Sequence, residues 1–269
     1  MRTVRPAAVA GSFYPSDPDE LRRVVDECTN PPAERRAALS CIVPHAGYMY
    51  SGRVAGSVYR SLQIPSRLIL LGPRHFPRGE ALAILSEGAW STPLGEAAID
   101  TALAAELKQA FPALREDAVA HRTEHALETQ LPFLQRLAGD FRFVPIALGT
   151  DRFEVLELLG RAIARVVAGH DEPILLVASS DMNHYESDAI TRVKDRLAID
   201  KILALDARGL YESVRSNDIS MCGYAAAVVM LTAVRELGAK RAELEKYATS
   251  GDVTGDGDWV VGYAGIVIS

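Results

Sequence analysis

The positions of apolar and polar residues along this chain predict strands that alternate with helices. Short, fully apolar runs that stop on proline, glycine or serine are typical of buried parallel strands. Such runs are CIVP, RLILLG, FRFVPIALG and PILLVASS. Between them, other segments place apolar residues at helical spacing, as Leu21, Val24 and Val25 do in SDPDELRRVVDEC. This alternation predicts an α/β sandwich in which helices flank a central, mostly parallel sheet.

Capping and breaking residues set the expected limits of several elements. Ser16 or Asp17 is expected to cap the first helix, and Gly169 is expected to close RFEVLELLGRAIARVVAG. HALETQLPFLQRL reads as a helix whose internal proline implies a kink or a late first turn. Residues 98–111 have a helical period, the preceding GAWSTPLGEA is expected to be a loop, and 189–237 is expected to be mostly helical. AELEKYATS and WVVGYAGIVIS are expected to be the closing strands.

Composition is that of an ordinary globular protein. With 269 residues, 48% of them hydrophobic, the chain is long enough to bury a large core, and one domain over residues 1–269 is expected. A net charge of −6 and scattered basic residues argue against a nucleic-acid partner. No apolar stretch approaches the roughly 18 residues of a membrane span, and the first residues lack the apolar core of a secretion signal. A cytoplasmic protein without a membrane partner is therefore expected.

Three histidines come shortly after predicted strands. His45 follows SCIVP, His75 follows RLILLGPR, and His184 follows ILLVASSDMN. In open α/β sheets, ligands bind beyond the carboxyl ends of the strands, and neighbouring strands lie only about 4.8 Å apart. One such histidine is more often a structural residue, but several at one edge of a sheet predict a site. Imidazoles that converge in this way favour a metal site.

Two other side chains extend this candidate site. Asp181 lies three residues before His184, where a carboxylate is able to orient a histidine, accept a proton or bind a cation, although a simple turn is the alternative. His184 is the candidate general acid or base. Cys222 precedes the apolar helix GYAAAVVMLTAV, where a helix dipole is expected to lower the pKa of the thiol; a small buried hydrophobe is the alternative. Sulfur with two imidazoles favours iron, copper or zinc.

Other polar segments are less specific. Thr123 and Glu124 are expected to cap a helix, and His125 is expected to be a secondary residue of the pocket. His121 and His170 lie in polar loops and are expected to be solvated. GDVTGDGD matches the first half of a calcium loop but not its last ligand, so a tight hairpin turn is expected there. The chain lacks dinucleotide, P-loop and nucleophile-elbow motifs.

Eight short motifs, in order along nearly the whole chain, resemble those of one family. They are AGSFYP, PHAGYMYSG, LGPRH, STPLG, EHALETQLPF, SSDMNHY, MCGY and SGDVTGD. Each string is weak alone, but the ordered set resembles the Memo family, also called protein B of the AmmeMemoRadiSam system. The resemblance implies a fold similar to that of class III extradiol dioxygenases. Those enzymes open catechol rings with a ferrous ion that is held by two histidines and a glutamate.

The resemblance also implies a set of metal ligands. Memo-like proteins have two histidines and a cysteine in the matching pocket, and these correspond to His45, His75 and Cys222. Asp181 and His184 correspond to its carboxylate and additional histidine. Iron(II) is therefore the expected cofactor, with copper or zinc as alternatives. Because a thiolate replaces the dioxygenase carboxylate, ring-opening activity does not transfer with the fold.

Residues around this pocket are implied to bind substrate. Phe13 and Tyr50 correspond to aromatic residues near its mouth, and His125 is grouped with them. Family members commonly have a small residue before the second histidine, whereas this chain has Arg74, which either draws an anionic ligand or points away. The name of the system implies a functional link to a radical S-adenosylmethionine protein.

Three functions are compatible with these residues. The first is a metal-binding, redox-active protein with a dioxygenase-like pocket in which His184 moves a proton. The second is a non-catalytic module that holds a peptide or an anionic ligand in the same cleft through Phe13, Tyr50 and Arg74. The third is a zinc hydrolase with an activated water. Metal analysis of protein purified without oxygen would separate the first and third from the second.

Overall fold

The apolar runs form neighbouring strands of one twelve-stranded sheet. The computed structural model describes residues 3–269. Its strands are β1 Val4–Arg5, β2 Ser40–Val43, β3 Arg67–Pro73, β4 Leu82–Ile84, β5 Ala89–Thr92, β6 Gly95–Ile99, β7 Arg115–Glu116, β8 Arg142–Leu148, β9 Ile174–Ser179, β10 His184–Glu186, β11 Ala242–Thr249 and β12 Val260–Ile268. The order across the sheet is β1-β5-β6-β8-β3-β9-β2-β12-β10, while β11 pairs with β12 and β4 pairs with both β7 and β8.

The centre of the sheet is parallel and aligns several strand ends. In the series β8, β3, β9 and β2 every neighbouring pair is parallel, with Leu71 opposite both Ile146 and Ala178, and Val43 opposite Ser179. Antiparallel pairs occur where β12 joins β2, β10 and β11, and within β5–β6 and β4–β8. The predicted α/β fold with a mostly parallel central sheet is confirmed. The carboxyl ends of β2, β3 and β9 lie side by side at one edge.

Helices cover both faces of the sheet. They are α1 Pro18–Cys28, α2 Tyr48–Arg60, α3 Thr101–Ala110, α4 Ala118–His121, α5 Leu131–Leu137, α6 Phe153–Ala168, α7 Asp188–Leu203, α8 Ala207–Ser216, α9 Tyr224–Glu236 and α10 Gly251–Thr254. Side chains of β3 alternate between two apolar clusters: Leu68 and Leu70 pack with α1, α2 and α5, whereas Ile69 and Leu71 pack with α3 and α6 to α9. Within residues 3–269, none of these helices combines the length and apolarity that crossing a membrane requires.

Local sequence accounts for where several helices begin and end. The carboxylate of Asp17 accepts hydrogen bonds from the backbone N–H groups of Asp19 and Glu20, so α1 has the expected acidic cap. Helix α6 ends at Ala168, directly before Gly169, as expected. In HALETQLPFLQRL a single 3-10 turn precedes α5, whose first turn contains the proline. The alternative of a late first turn is therefore the one that the structure adopts.

Two expectations about local structure are wrong. The segment expected to be a loop, GAWSTPLGEA, contains the hairpin β5–β6, and β6 extends through residues 98 and 99, which were expected to be helical. The strands of this hairpin are short, so their alternation of buried and exposed residues gives little periodic signal in the sequence. The β11–β12 connection is not a tight turn either, because it includes the short helix α10. The closing strands themselves are where the sequence predicts them.

Candidate metal centre

Three side chains with metal-binding chemistry converge beside the carboxyl ends of the parallel strands. His45 follows β2, His75 follows β3, and Cys222 precedes α9. One donor atom from each of the three lies within 4.8 Å of the others. The ring centroids of His45 and His75 are 5.2 Å apart, and the planes of the two rings are nearly perpendicular. The fold therefore brings together the three side chains that were predicted as metal ligands.

A buried chain of hydrogen bonds fixes the tautomer of His45. The hydroxyl of Ser179 donates to the carbonyl of Ala126 at 2.6 Å and accepts from the side-chain amide of Gln130 at 2.9 Å. Its oxygen must then accept, rather than donate, in the 2.9 Å contact with Nδ1 of His45. Burial, with His75 nearby, lowers the pKa of His45 to about 3. The ring is thus neutral, with its proton on Nδ1 and a lone pair on Nε2.

Glu124 orients His75. Its fully buried carboxylate accepts hydrogen bonds from Nδ1 of His75 at 2.8 Å, from the backbone N–H of His75 at 2.7 Å and from that of Ala126 at 3.0 Å. Burial opposes ionisation of Glu124, but the hydrogen bonds from His75 and Ala126 outweigh it and hold the pKa of Glu124 at about 2. Nε2 of His75 is left for a metal ion, an arrangement common among histidine ligands. The 3-10 turn before α5 has Leu127 at its N-cap and no side-chain cap, so the expected helix-cap role of Glu124 is wrong.

The sulfur of Cys222 lies against His45 at a separation that suits a shared ion. Sγ is 3.3 Å from Nε2 of His45. A tetrahedral ion with bonds of about 2.0–2.1 Å to nitrogen and about 2.3 Å to sulfur places such donors about 3.5 Å apart. Burial, followed by the Asp181 carboxylate, raises the pKa of the Cys222 thiol, so the lowering expected from a helix dipole is wrong. A bound cation is what would convert this thiol to the thiolate.

Asp181 and His184 form a second group with the same sulfur. One donor atom from each lies within 4.8 Å of the other and of one from Cys222. Oδ1 of Asp181 accepts two backbone N–H groups, the nearer being that of His45 at 2.8 Å, and burial raises the pKa of this carboxyl. Nδ1 of His184 donates to the carbonyl of Ser220 at 2.9 Å. Nε2 of His184 is therefore the ring atom left for a proton or a metal.

The predicted substrate residues Phe13 and His125 lie beside the histidines of the site, and Tyr50 lies in the adjoining groove. His125 stacks on His75 with ring centroids 4.5 Å apart, and Phe13 contacts His125 at 4.6 Å. Burial, with His45 nearby, lowers the pKa of His125 to about 4. A groove of about 600 Å³ extends from Phe13 along the start of α2 and includes Tyr50 in its wall. The aromatic residues therefore connect the histidines to an open groove.

Arg74 is held by backbone groups rather than by the histidines. Its guanidinium donates to the carbonyl of Gly79, and its Nε lies so close to Gly149 that an added Cβ there would be 2.4 Å away. Glycine at 149 is thus what makes room for this side chain. Of the two alternatives for Arg74, these contacts favour the one in which it points away, and anion binding by Arg74 stays a prediction.

His121 and His170 are not the solvated residues that their loops predict. His121 is fully buried, with its ring edge-on to Trp90, and burial lowers its pKa to about 4. His170 is half-buried between Arg67 and Glu106, at the opposite edge of the sheet from the metal-binding side chains. Both histidines have polar neighbours in the sequence. Those neighbours did not indicate that residues from distant elements contact the two rings.

A buried ion pair beneath the site also escaped prediction. Arg5 binds Glu128 at 2.6 Å, and both side chains are almost fully buried. Arg5 also donates to the carbonyl of Glu124 at 2.7 Å, while Glu128 accepts from the hydroxyl of Tyr14 at 2.6 Å. This pair ties the segment that carries Phe13 to the loop that carries Glu124. The sequence has no strong signal for this pair, because the two glutamates of EHALETQ lie among other polar residues.

Comparison with known proteins places the whole chain in one family. A family model described as "Memo-like protein" matches residues 5–267. MEMO1 family proteins of Methanopyrus kandleri and Aquifex aeolicus are 41% and 40% identical to this chain, and each alignment covers 98% of both proteins. A MEMO1 family protein of Methanosarcina barkeri is 42% identical over 98% of this chain and 100% of its own length.

A solved structure has the same fold at low sequence identity. An uncharacterized protein from Escherichia coli K12 matches 85% of this chain and 98% of its own, with a TM-score of 0.57. The two sequences are 13% identical. This similarity supports the fold and carries no information about the chemistry of the site.

Proposed function

This chain belongs to the Memo-like protein family, and we propose that it binds a metal ion through His45, His75 and Cys222. Iron(II) is the first candidate, and copper or zinc are the alternatives, because imidazole and thiolate suit these ions. The observation that best supports the proposal is the orientation of the donors. Buried acceptors engage Nδ1 of both histidines and leave both Nε2 atoms for a metal ion. A donor atom of each ring lies within 4.8 Å of the sulfur.

Other residues of the site have roles in binding and proton transfer. When bound, such an ion supplies Lewis-acid or one-electron chemistry. His184, whose Nδ1 is engaged by Ser220, offers Nε2 as the atom that takes or gives a proton. Asp181 holds the backbone of His45 in place through Oδ1. Phe13 and His125 form the aromatic wall against which a small molecule would lie.

Metal analysis tests this proposal directly. Protein purified without oxygen, and then reconstituted with iron(II), copper(I) or zinc(II), is expected to retain metal after gel filtration. His45→Ala and Cys222→Ser should each abolish retention, because each removes a donor and leaves too few for a stable site. If none of the three metals is retained, or if both variants retain them like the unmodified protein, the metal-binding proposal is wrong.

Matched controls separate loss of a ligand from general damage. His170→Ala removes a histidine at the opposite edge of the sheet, and Cys28→Ser removes a buried thiol from α1. Both variants should retain metal as the unmodified protein does. Thermal unfolding of each apo variant shows whether the fold is intact, so that a loss of metal is assigned to the site only when the fold persists.

The groove beside the site favours a second candidate function, ligand binding without turnover. Its wall includes Phe13, Tyr50 and Arg53, and also Glu20 and Glu27, a mixture that suits a peptide through aromatic and charged contacts. Equal binding of such a ligand to metal-free and metal-loaded protein, with no turnover in the presence of oxygen, would support this function. A cytoplasmic location and a functional link to a radical S-adenosylmethionine protein stay predictions.

A further inference from the structure

Tyr185 is held beside the candidate site in a backbone conformation that tyrosine rarely adopts. Its φ is +60°, in the left-handed region, where a residue with a Cβ is strained. It directly follows His184, and the centroids of the two rings are 5.6 Å apart. We infer that Tyr185 determines ligand specificity at this site by packing its ring against a flat, uncharged part of the ligand. The inference rests on the proposed function, which assigns ligand binding to the pocket that contains His184.

A bulge in β10 accounts for this conformation. The pairing of β10 with β12 puts Val261 opposite His184. The preceding residue of β12, Val260, is opposite Glu186, so Tyr185 is the additional residue of the bulge. Bulges of this kind redirect side chains and are frequent beside active sites. Here 67% of Tyr185 is exposed, so the ring is free to contact a ligand.

The residues on either side of Tyr185 are fixed by contacts with other elements. The backbone N–H of His184 donates to the hydroxyl of Ser220 at 2.7 Å, and Nδ1 of the ring donates to the carbonyl of Ser220 at 2.9 Å. The carboxylate of Glu186 binds Lys194 at 2.7 Å. Strained residues persist where their surroundings are fixed in this way. Glycine would adopt the same backbone without strain, so the backbone alone gives no reason for a tyrosine here.

Electrostatic interactions show that Tyr185 lies where the site opens into the groove. Burial raises the pKa of the Tyr263 hydroxyl, and the carboxylate of Asp181 raises it further. Tyr50 and Tyr185 act in the same direction. Because such interactions weaken with distance, these side chains lie around one hydroxyl group. Asp181 belongs to the site and Tyr50 to the wall of the groove, so Tyr185 lies at the boundary between them.

Aromatic side chains then approach a ligand from two parts of the site. Phe13 packs on His125, which stacks on His75, whereas Tyr185 packs on His184. Aromatic rings pack best against another flat apolar surface, and an exposed ring that a ligand covers is removed from water. The arrangement therefore suits a small molecule that has a planar ring.

Binding of β-naphthol, a neutral and planar probe, tests the role of the Tyr185 ring without any metal. The dissociation constant for metal-free protein is measured by the fluorescence anisotropy of the probe. Tyr185→Ala should raise it about 2- to 12-fold, because one aromatic contact is lost. Tyr185→Phe keeps the ring and should bind like the unmodified protein. So should Val193→Ala, which removes a similarly exposed apolar side chain from α7.

Two further measurements distinguish a ligand contact from a structural role. β-Decalol, the saturated analogue, should compete for the site with an affinity that depends less on Tyr185, because it has no flat face. Tyr185→Gly should unfold at a higher temperature than Tyr185→Ala, since glycine adopts the left-handed backbone without strain. If both variants instead unfold well below Tyr185→Phe, the ring stabilises the fold and the inference is wrong.

The outcomes also separate this inference from the proposed function. If β-naphthol does not bind, or binds Tyr185→Ala as tightly as the unmodified protein, the inference is overturned. Neither result affects metal retention by His45, His75 and Cys222, which Tyr185→Ala should leave unchanged. If the unmodified protein retains no metal but its β-naphthol binding depends on Tyr185, the metal-binding proposal fails and the ligand contact stands.

Discussion

Replacement of Glu124 by glutamine tests whether the acceptor at Nδ1 of His75 controls metal affinity. Oε1 of Glu124 accepts from Nδ1 of His75 and from the backbone N–H of Ala126, and Oε2 accepts from the backbone N–H of His75. Glutamine keeps the shape but offers one oxygen and one NH₂ group. In one orientation the NH₂ group faces the backbone N–H of His75. In the other it faces that of Ala126 and drives the His75 proton onto Nε2.

The size of the effect follows from these contacts. A buried donor that loses its acceptor costs about 1–3 kcal/mol, so the apo Glu124→Gln protein should be less stable by that amount. Loss of a partner behind a histidine ligand typically lowers metal affinity by about 10–100-fold. That range corresponds to about 1.4–2.8 kcal/mol of binding free energy. The orientation that protonates Nε2 of His75 lies at the upper end, because it removes the lone pair that binds the metal.

Competition with a chromophoric chelator measures the dissociation constant for cobalt(II), and urea unfolding of the apo protein measures stability. The matched control is Glu106→Gln, because Glu106 accepts from Nε2 of His170 at 2.8 Å at the opposite edge of the sheet. This control should bind cobalt(II) as the unmodified protein does. Affinities of Glu124→Gln and Glu106→Gln that agree within about twofold, well below the expected range, would refute the role of Glu124.

Other side chains give three further predictions. Arg5→Met leaves the buried carboxylate of Glu128 without its cation and should lower the free energy of unfolding by about 3–5 kcal/mol in urea titrations. A loss under about 1 kcal/mol would mean that the remaining donors to Glu128 suffice. Gly262→Ala would place a Cβ 1.8 Å from Oδ2 of Asp195 and should sharply lower the thermal midpoint; an unchanged midpoint contradicts this packing. Burial raises the pKa of Asp195 to about 7, so the folded state keeps a proton that the unfolded state loses above about pH 4. Stability should therefore fall by about 4 kcal/mol as the pH rises from about 4 to about 7, and Asp195→Asn should flatten that slope. Exposed Asp200→Asn on the same helix should keep the slope, and equal slopes in the two variants would contradict the assignment.

The sheet, and the proximity of His45 to His75, were predictable from the sequence. Both follow from the local pattern of apolar residues and from the rule that parallel strands align their carboxyl ends. Fully apolar runs such as residues 68–71 have to be buried on both faces, which parallel strands between two helical layers achieve. Histidines just after two such strands must then lie at one edge. Cys222 is different, because it precedes a helix and no strand-end rule places it there. Its assignment depended on the resemblance of MCGY to a family motif.

The protonation of the site was not predictable, because the acceptors that set it come from unrelated parts of the chain. Ser179 ends β9, Glu124 lies in the loop before α5, and Ser220 lies before α9, yet each engages Nδ1 of a different histidine. In the sequence, each of the three looks like an ordinary turn or capping residue. A histidine at a strand end becomes a metal-ligand candidate only when such an acceptor is present, since it decides which ring nitrogen keeps a lone pair. The sequence thus predicts which residue types bind the metal. Whether each ring nitrogen is able to bind it depends on hydrogen bonds that form only in the folded structure.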